Sequence, residues 1–105
     1  MSEAGQVFIY AIGRPQGPVK IGVSSNPQAR VGQIQTGCPF KVCLLHSAAL
    51  PSRGEAETQE AIIHGVYEDR RIIGEWFKMD HEIATEAIDC AISTAEAFKD
   101  RSHRL

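Results

Sequence analysis

Residues 7–30 read VFIYAIGRPQGPVKIGVSSNPQAR. Val7, Phe8, Ile9 and Tyr10 are strand formers in a loosely alternating run, which predicts a strand over Gln6–Ile12. The turn-forming segment Gly13–Pro18 joins it to a second short strand, Val19–Val23. Two strands with so short a link most simply make an antiparallel hairpin. Asn26 then suits a helix N-cap and Pro27 the first helical position. The helix is predicted to run to about Thr36, with Gly37 as its stop and Pro27, Val31 and Ile34 on one face.

Polar residues on this frame point to phosphate chemistry. Tyr10 on one strand and Lys20 on its partner can lie on one face, and Arg30 in the first turns of the helix can point back toward them. Arginine offers phosphate a planar fork. Nearby positive charge is expected to lower the phenol pKa of Tyr10 and make it a better proton acceptor. The competing reading has Tyr10 packing an edge, with Lys20 and Arg30 solvated.

Further along, Lys41–Ala49 reads as a third strand ended by Pro51. Ser52 and Glu55 have capping-box spacing, opening a helix from about Arg53 to Glu68. Its apolar arc is Ala56, Ile62, Ile63, Val66 and Tyr67, with Glu60 at the border and Glu57 and His64 further round. A carboxylate at the edge of a buried stripe can be held rigidly and still meet a ligand. Magnesium needs only one or two carboxylates plus phosphate oxygens and water. A solvated helix face accounts for the same residues. Glu75-Trp76-Phe77 is either a stacking platform for a base or, the reading we favour, part of the core beneath the last helix. That helix is predicted from His81 to Lys99, after an Asp80 cap, with Ala84, Ala87, Ile88, Ala91, Ile92 and Ala95 buried. Residues 1–5 and the RSHRL tail are expected to be loose, and His46 structural.

Composition narrows the classes. The length predicts one domain spanning residues 1–105, with its core at about 6–80. No apolar run is long enough to span a bilayer, and the first residues lack the features of a signal peptide. Cys38, Cys43 and Cys90 are an odd count without metal-site spacing, arguing for free thiols in a reducing cytoplasm. Net charge is −2, but residues 1–50 carry four bases and one acid. The basic excess thus lies with the opening stretch, and any phosphate footprint is small.

In this order and spacing the segments resemble the GIY-YIG endonuclease superfamily, most closely its small phage-type branch. Phe8-Ile9-Tyr10 stands where GIY would be, and Lys20-Ile21-Gly22 where YIG would be. The runs KIGVSSNPQARVGQIQTG and QEAIIHGVYEDRRIIGEWF resemble that branch's arginine-helix and glutamate-helix regions. The resemblance implies an α+β fold, with a three-stranded antiparallel sheet flanked by about three helices. It also implies one divalent metal, Mg²⁺ or Mn²⁺, and hydrolysis of DNA phosphodiester bonds. Tyr10 then matches the first-motif tyrosine and general base, and Lys20 the second-motif tyrosine. Arg30 matches the arginine that stabilises the phosphoryl charge, and Glu60 the metal ligand, with His64 and Glu57 as its support. Two departures stand out: Lys20 replaces a tyrosine, and Val23 occupies a position where many active members carry a basic or imidazole side chain. Val23, together with an acidic C-terminal half in which residues 51–105 carry seven bases and twelve acids, motivates the alternative of a catalytically weak or silent DNA- or protein-binding module of the same fold. A domain this small offers little surface for reading base edges, so low intrinsic specificity, or targeting by a partner chain, is expected.

Overall fold

Strand β1, Val7–Gly13, runs through the middle of the sheet's longest pairings. It pairs antiparallel with β2 (Val19–Ser24) on one side and β3 (Cys43–Leu50) on the other. Its β-branched and aromatic residues suit a position buried on both faces, and only Phe8 is half-buried. The strand's two-residue period divides it. Val7, Ile9 and Ala11 enter one core, while Tyr10 and Ile12 enter another on the opposite face. The computed structural model describes residues 6–103, with side chains to residue 95, so the expectations for residues 1–5, 104 and 105 lie outside the described residues.

The sheet is five-stranded and antiparallel, in the order β3-β1-β2-β5-β4, rather than three-stranded. The two extra strands are β4 (Arg71–Ile73) and β5 (Trp76–Phe77). Gly74 adopts the positive φ of 56° that lets the chain reverse between Ile73 and Trp76. The Arg71 guanidinium bonds the Gly74 carbonyl and the Glu68 carboxylate, bracing this small hairpin. β5 then adds to β2 through Val19↔Phe77 and Lys20↔Trp76.

Helix α1 (Pro27–Thr36) covers the Tyr10 face, where Val31 and Ile34 pack with Ile12 and Val42. The Asn26 side chain accepts the Ala29 N–H at 3.1 Å, so the predicted cap forms. The Gln35 amide bonds Phe40 O and Val42 N, both at 2.9 Å. This explains why β3 starts at Cys43 rather than Lys41: the Val42 N–H is already taken, and β1 ends opposite Cys43.

Helices α2 (Arg53–Val66) and α3 (His81–His103) cover the other face. α2 carries the predicted Ser52 cap, with Ser52 Oγ accepting the Glu55 N–H at 3.2 Å. It ends at Val66, short of Glu68, and residues 68–70 form a 3-10 turn. Its buried stripe is Ala56, Gln59 and Ile63, narrower than the predicted arc, so Ile62 (48 % exposed) and Val66 (66 %) face outward. On α3, Ala84, Ala87, Ile88 and Ala91 are buried, as their spacing predicts, while Ile92 and Ala95 are half-buried. The helix runs to His103, past the predicted end at Lys99 and into the tail expected to be loose. No described helix is long and apolar enough to cross a membrane.

Candidate active site

Tyr10 and Gly22 are cross-strand partners, so they share the α1 face of the hairpin. The Tyr10 ring lies over Gly22, and a β-carbon there would stand 2.7 Å from Tyr10 Cζ. Only glycine allows the phenol to lie flat on β2. Tyr10 is 1 % exposed. Arg30 reaches back from the first turn of α1, and its Nε donates to Tyr10 Oη at 3.4 Å. Its Nη1 donates to Gln33 Oε1 at 2.8 Å, which steadies the fork.

Lys20 lies two residues before Gly22 on β2 and therefore on the same face. Its ammonium is 3.2 Å from Glu75 Oε1 and 5.9 Å from the centre of the Trp76 ring. Glu75 occupies the tip of the β4–β5 hairpin, and its backbone carbonyl accepts the Ile21 N–H at 3.1 Å. A β-carbon on Gly22 would stand 3.1 Å from Glu75 Oε1, so this carboxylate also borders the tyrosine.

Glu60 comes from α2, where it is half-buried. Burial, then the charge and hydrogen bond of Glu75, push its carboxyl up to about 7, with Glu57 adding to the effect and Lys20 opposing it. Tyr10, Lys20, Arg30 and Glu60 are thus brought together, and Glu75 stands among them. Glu75 was legible as a residue but not as a member of the site. Its signal was the neighbouring Gly74, which turns the chain and swings the carboxylate toward β2.

Tyr10 departs from its predicted electrostatics. Burial pushes the phenol above its usual range, and the Arg30 guanidinium offsets this only in part. Glu75 and Glu60 push in the same direction as burial. The expectation of a lowered pKa counted the cations and missed both the burial and the carboxylates.

His64 and Glu57 engage other groups. His64 Nε2 lies 3.0 Å from the Ile21 carbonyl and donates to it, since a carbonyl oxygen can only accept. Ile21 presents both backbone groups to the β5 side, and β5 is too short to meet both, so His64 completes the ladder. Glu57 is exposed and 3.7 Å from Arg53. His46 ties β3 to α3 through Asp89 at 2.8 Å. Val23 packs against the α2/α3 core, on the face opposite Tyr10. Phe77 is buried beneath His64, as predicted for the core, whereas Trp76 faces the α1 side with Phe40.

Between α1 and the sheet, Lys20, Arg30, Gln33, Ile34, Cys38 and Trp76 wall a cleft of about 400 Å³. Among the described residues no group of three or more His, Cys, Asp or Glu side chains is arranged to hold a metal. The Glu60–Glu75 pair is a two-carboxylate oxygen set, which suits a hard divalent cation that keeps water and phosphate oxygens as its remaining ligands. Cys38, Cys43 and Cys90 are free thiols.

The profile of the T5orf172 domain matches residues 7–92. The chain belongs to the T5orf172 domain family. The matched span of this T5orf172 domain runs from the first residue of β1 into α3, so it contains Tyr10, Lys20, Arg30, Glu60 and Glu75. No curated protein and no solved structure matches the chain.

Proposed function

We propose that this T5orf172 domain is a GIY-YIG-type nuclease, using Mg²⁺ or Mn²⁺ to hydrolyse DNA phosphodiester bonds with low intrinsic sequence specificity. The observation that carries the reading is the meeting of Tyr10, Arg30 and Lys20 with the Glu60–Glu75 carboxylate pair. Membership of the T5orf172 family is compatible with a nuclease-like, DNA-binding role.

The roles follow from position. Arg30 has one face on Tyr10 and the other on the cleft, so its guanidinium can hold a phosphoryl oxygen and stabilise charge growing there. Lys20 adds a second positive charge at the cleft wall and anchors Glu75. Tyr10 lies behind Arg30, with its hydroxyl held by that guanidinium, and as general base it would take the proton of the attacking water. In the resting site it is a phenol, so it acts as a base only in the small fraction that has lost its proton. Glu60, with Glu75 beside it, would hold the divalent ion. When bound, that ion supplies charge neutralisation at the scissile phosphate and the leaving oxygen.

A second reading is a binding module with little turnover. The raised pKa of Tyr10 and the position of Val23 on the opposite face favour it. Calorimetry with Mg²⁺ or Mn²⁺ and cleavage of branched DNA separate the two. A nuclease binds the ion, loses it in Glu60→Gln and cuts DNA. A module of the second kind binds DNA without cutting it. If neither ion binding nor DNA cleavage occurs, the nuclease reading is wrong.

A further inference from the structure

Next to the cleft, and ending in its wall, runs a row of alternating cations and aromatic rings. The Arg14 guanidinium lies 4.9 Å from the centre of the Phe40 ring. Phe40 meets Trp76 edge to face, with ring centres 6.3 Å apart and planes at 84°. The Lys20 ammonium lies 5.9 Å from the centre of the Trp76 ring. The row therefore runs from the β1–β2 loop, across the segment after α1, to β5 and the catalytic lysine. The β1–β2 hairpin, the segment after α1 and β5 build it. Neither ring is swallowed by the core: Phe40 and Trp76 are both half-buried. Trp76 forms part of the wall of the roughly 400 Å³ cleft that also holds Arg30, a volume within the usual range of about 300–1,000 Å³ for small-ligand pockets.

We propose that this row is a binding track for an unpaired DNA strand leading into the site, with one base stacked at Trp76 and the flanking phosphates drawn to Lys20 and Arg14. Single-strand sites combine positive charge that follows the backbone with aromatic faces that accept any base. A base paired within a duplex cannot reach a ring set inside a cleft, because its faces are already stacked on its neighbours. The preferred substrate is thus a flap, a branch or a gapped end, with the scissile phosphate next to the unpaired segment. This inference rests on the nuclease reading for the cut itself, but the binding step stands without it.

Trp76 is the chain's only tryptophan, so its fluorescence reports the track directly. Titrating the protein without divalent metal with oligo-dT, with an abasic oligomer of equal length and with blunt duplex tests the proposal. Oligo-dT is expected to quench Trp76 and to bind at least about tenfold more tightly than the other two. The exposed Arg14→Gln should weaken oligo-dT binding severalfold while keeping the quench. Trp76→Ala, followed by anisotropy of labelled oligo-dT, should weaken it about 5- to 100-fold. Equal affinity for the abasic and dT oligomers, or tighter binding of blunt duplex, would overturn the track. Oligo-dT binding with this pattern but no cutting of flap DNA in Mg²⁺ or Mn²⁺ would instead count against the nuclease reading. Cutting of blunt duplex as fast as flap DNA would reject the track and leave the nuclease reading intact.

Discussion

Gly22 lies directly beneath the Tyr10 ring, where an added β-carbon would come within 2.7 Å of Cζ. Tyr10 is fully buried at this point and cannot swing away without losing its bond from Arg30. Gly22→Ala should therefore displace Tyr10 and Arg30 together. Overpacking a tight site costs about 1–3 kcal/mol, which urea denaturation will detect. Cleavage should fall by at least about tenfold, since a small misplacement of reacting groups is costly. A variant with parental stability and activity would show that the ring has room to move.

The two carboxylates make the fold sensitive to pH. Glu60 has its pKa raised, from an unfolded value of 4.5 to about 7 in the folded chain. Its neutral form thus suits the fold, and the stability it lends is complete below the unfolded value. That stability is lost as pH rises through about 7. Glu60→Gln should therefore melt above the parent protein at pH 8 and close to it at pH 4. The gap at pH 8 should be several degrees, on the order of the ~4–8 °C that 1 kcal/mol shifts a domain of this size. Saturating Mg²⁺ should narrow the gap by stabilising the parent alone. A gap that is the same at both pH values would mean that neither burial nor Glu75 disfavours the ionised Glu60.

Tyr10 sets the other limb. Because burial holds the phenol above its usual range, the phenolate fraction keeps growing across the whole neutral range. With Tyr10 as base, single-turnover cleavage should rise about tenfold per pH unit from roughly pH 8 to pH 9.5, without a plateau. Tyr10→Phe should abolish the rise and lower the rate at least about 100-fold. A plateau near pH 8 in the parent would point to another base.

His64 holds the backbone rather than the reacting groups. Removing it leaves the Ile21 carbonyl without a donor at the edge of the β-ladder. His64→Ala should destabilise the fold by about 1–3 kcal/mol, while His64→Gln, which keeps a donor, recovers part of that. Amide exchange at Ile21 and Glu75 should quicken in the alanine variant. Unchanged stability in both would mean that water serves the carbonyl as well.

Local signals carried most of the fold. The β1–β2 hairpin, the Asn26 and Ser52 caps and the α3 stripe all depend on neighbours in sequence, and each formed where its residues predicted. The β4–β5 hairpin was less legible, because strands of three and two residues show no period. They form because β2 has a free edge, which is a property of the sheet. The same limit hid Glu75, whose place depends on that hairpin. The Tyr10 pKa was misread for a related reason: composition shows which charges are near but not that the ring is buried. The exposure of Ile62 and Val66 likewise follows from how much of α2 the sheet and α3 cover, not from the helical period.

Tyr10, Arg30, Lys20 and the Glu60–Glu75 pair are expected to act as one metal-dependent site. The direct measurement is the initial rate of supercoiled-plasmid nicking in Mg²⁺ or Mn²⁺ and in chelator, for the parent, Glu60→Ala and Arg30→Ala. Nicking is expected only with the ion, lowered at least about 100-fold by either substitution. Nicking that persists in chelator, or that proceeds at the parental rate in both variants, would contradict this.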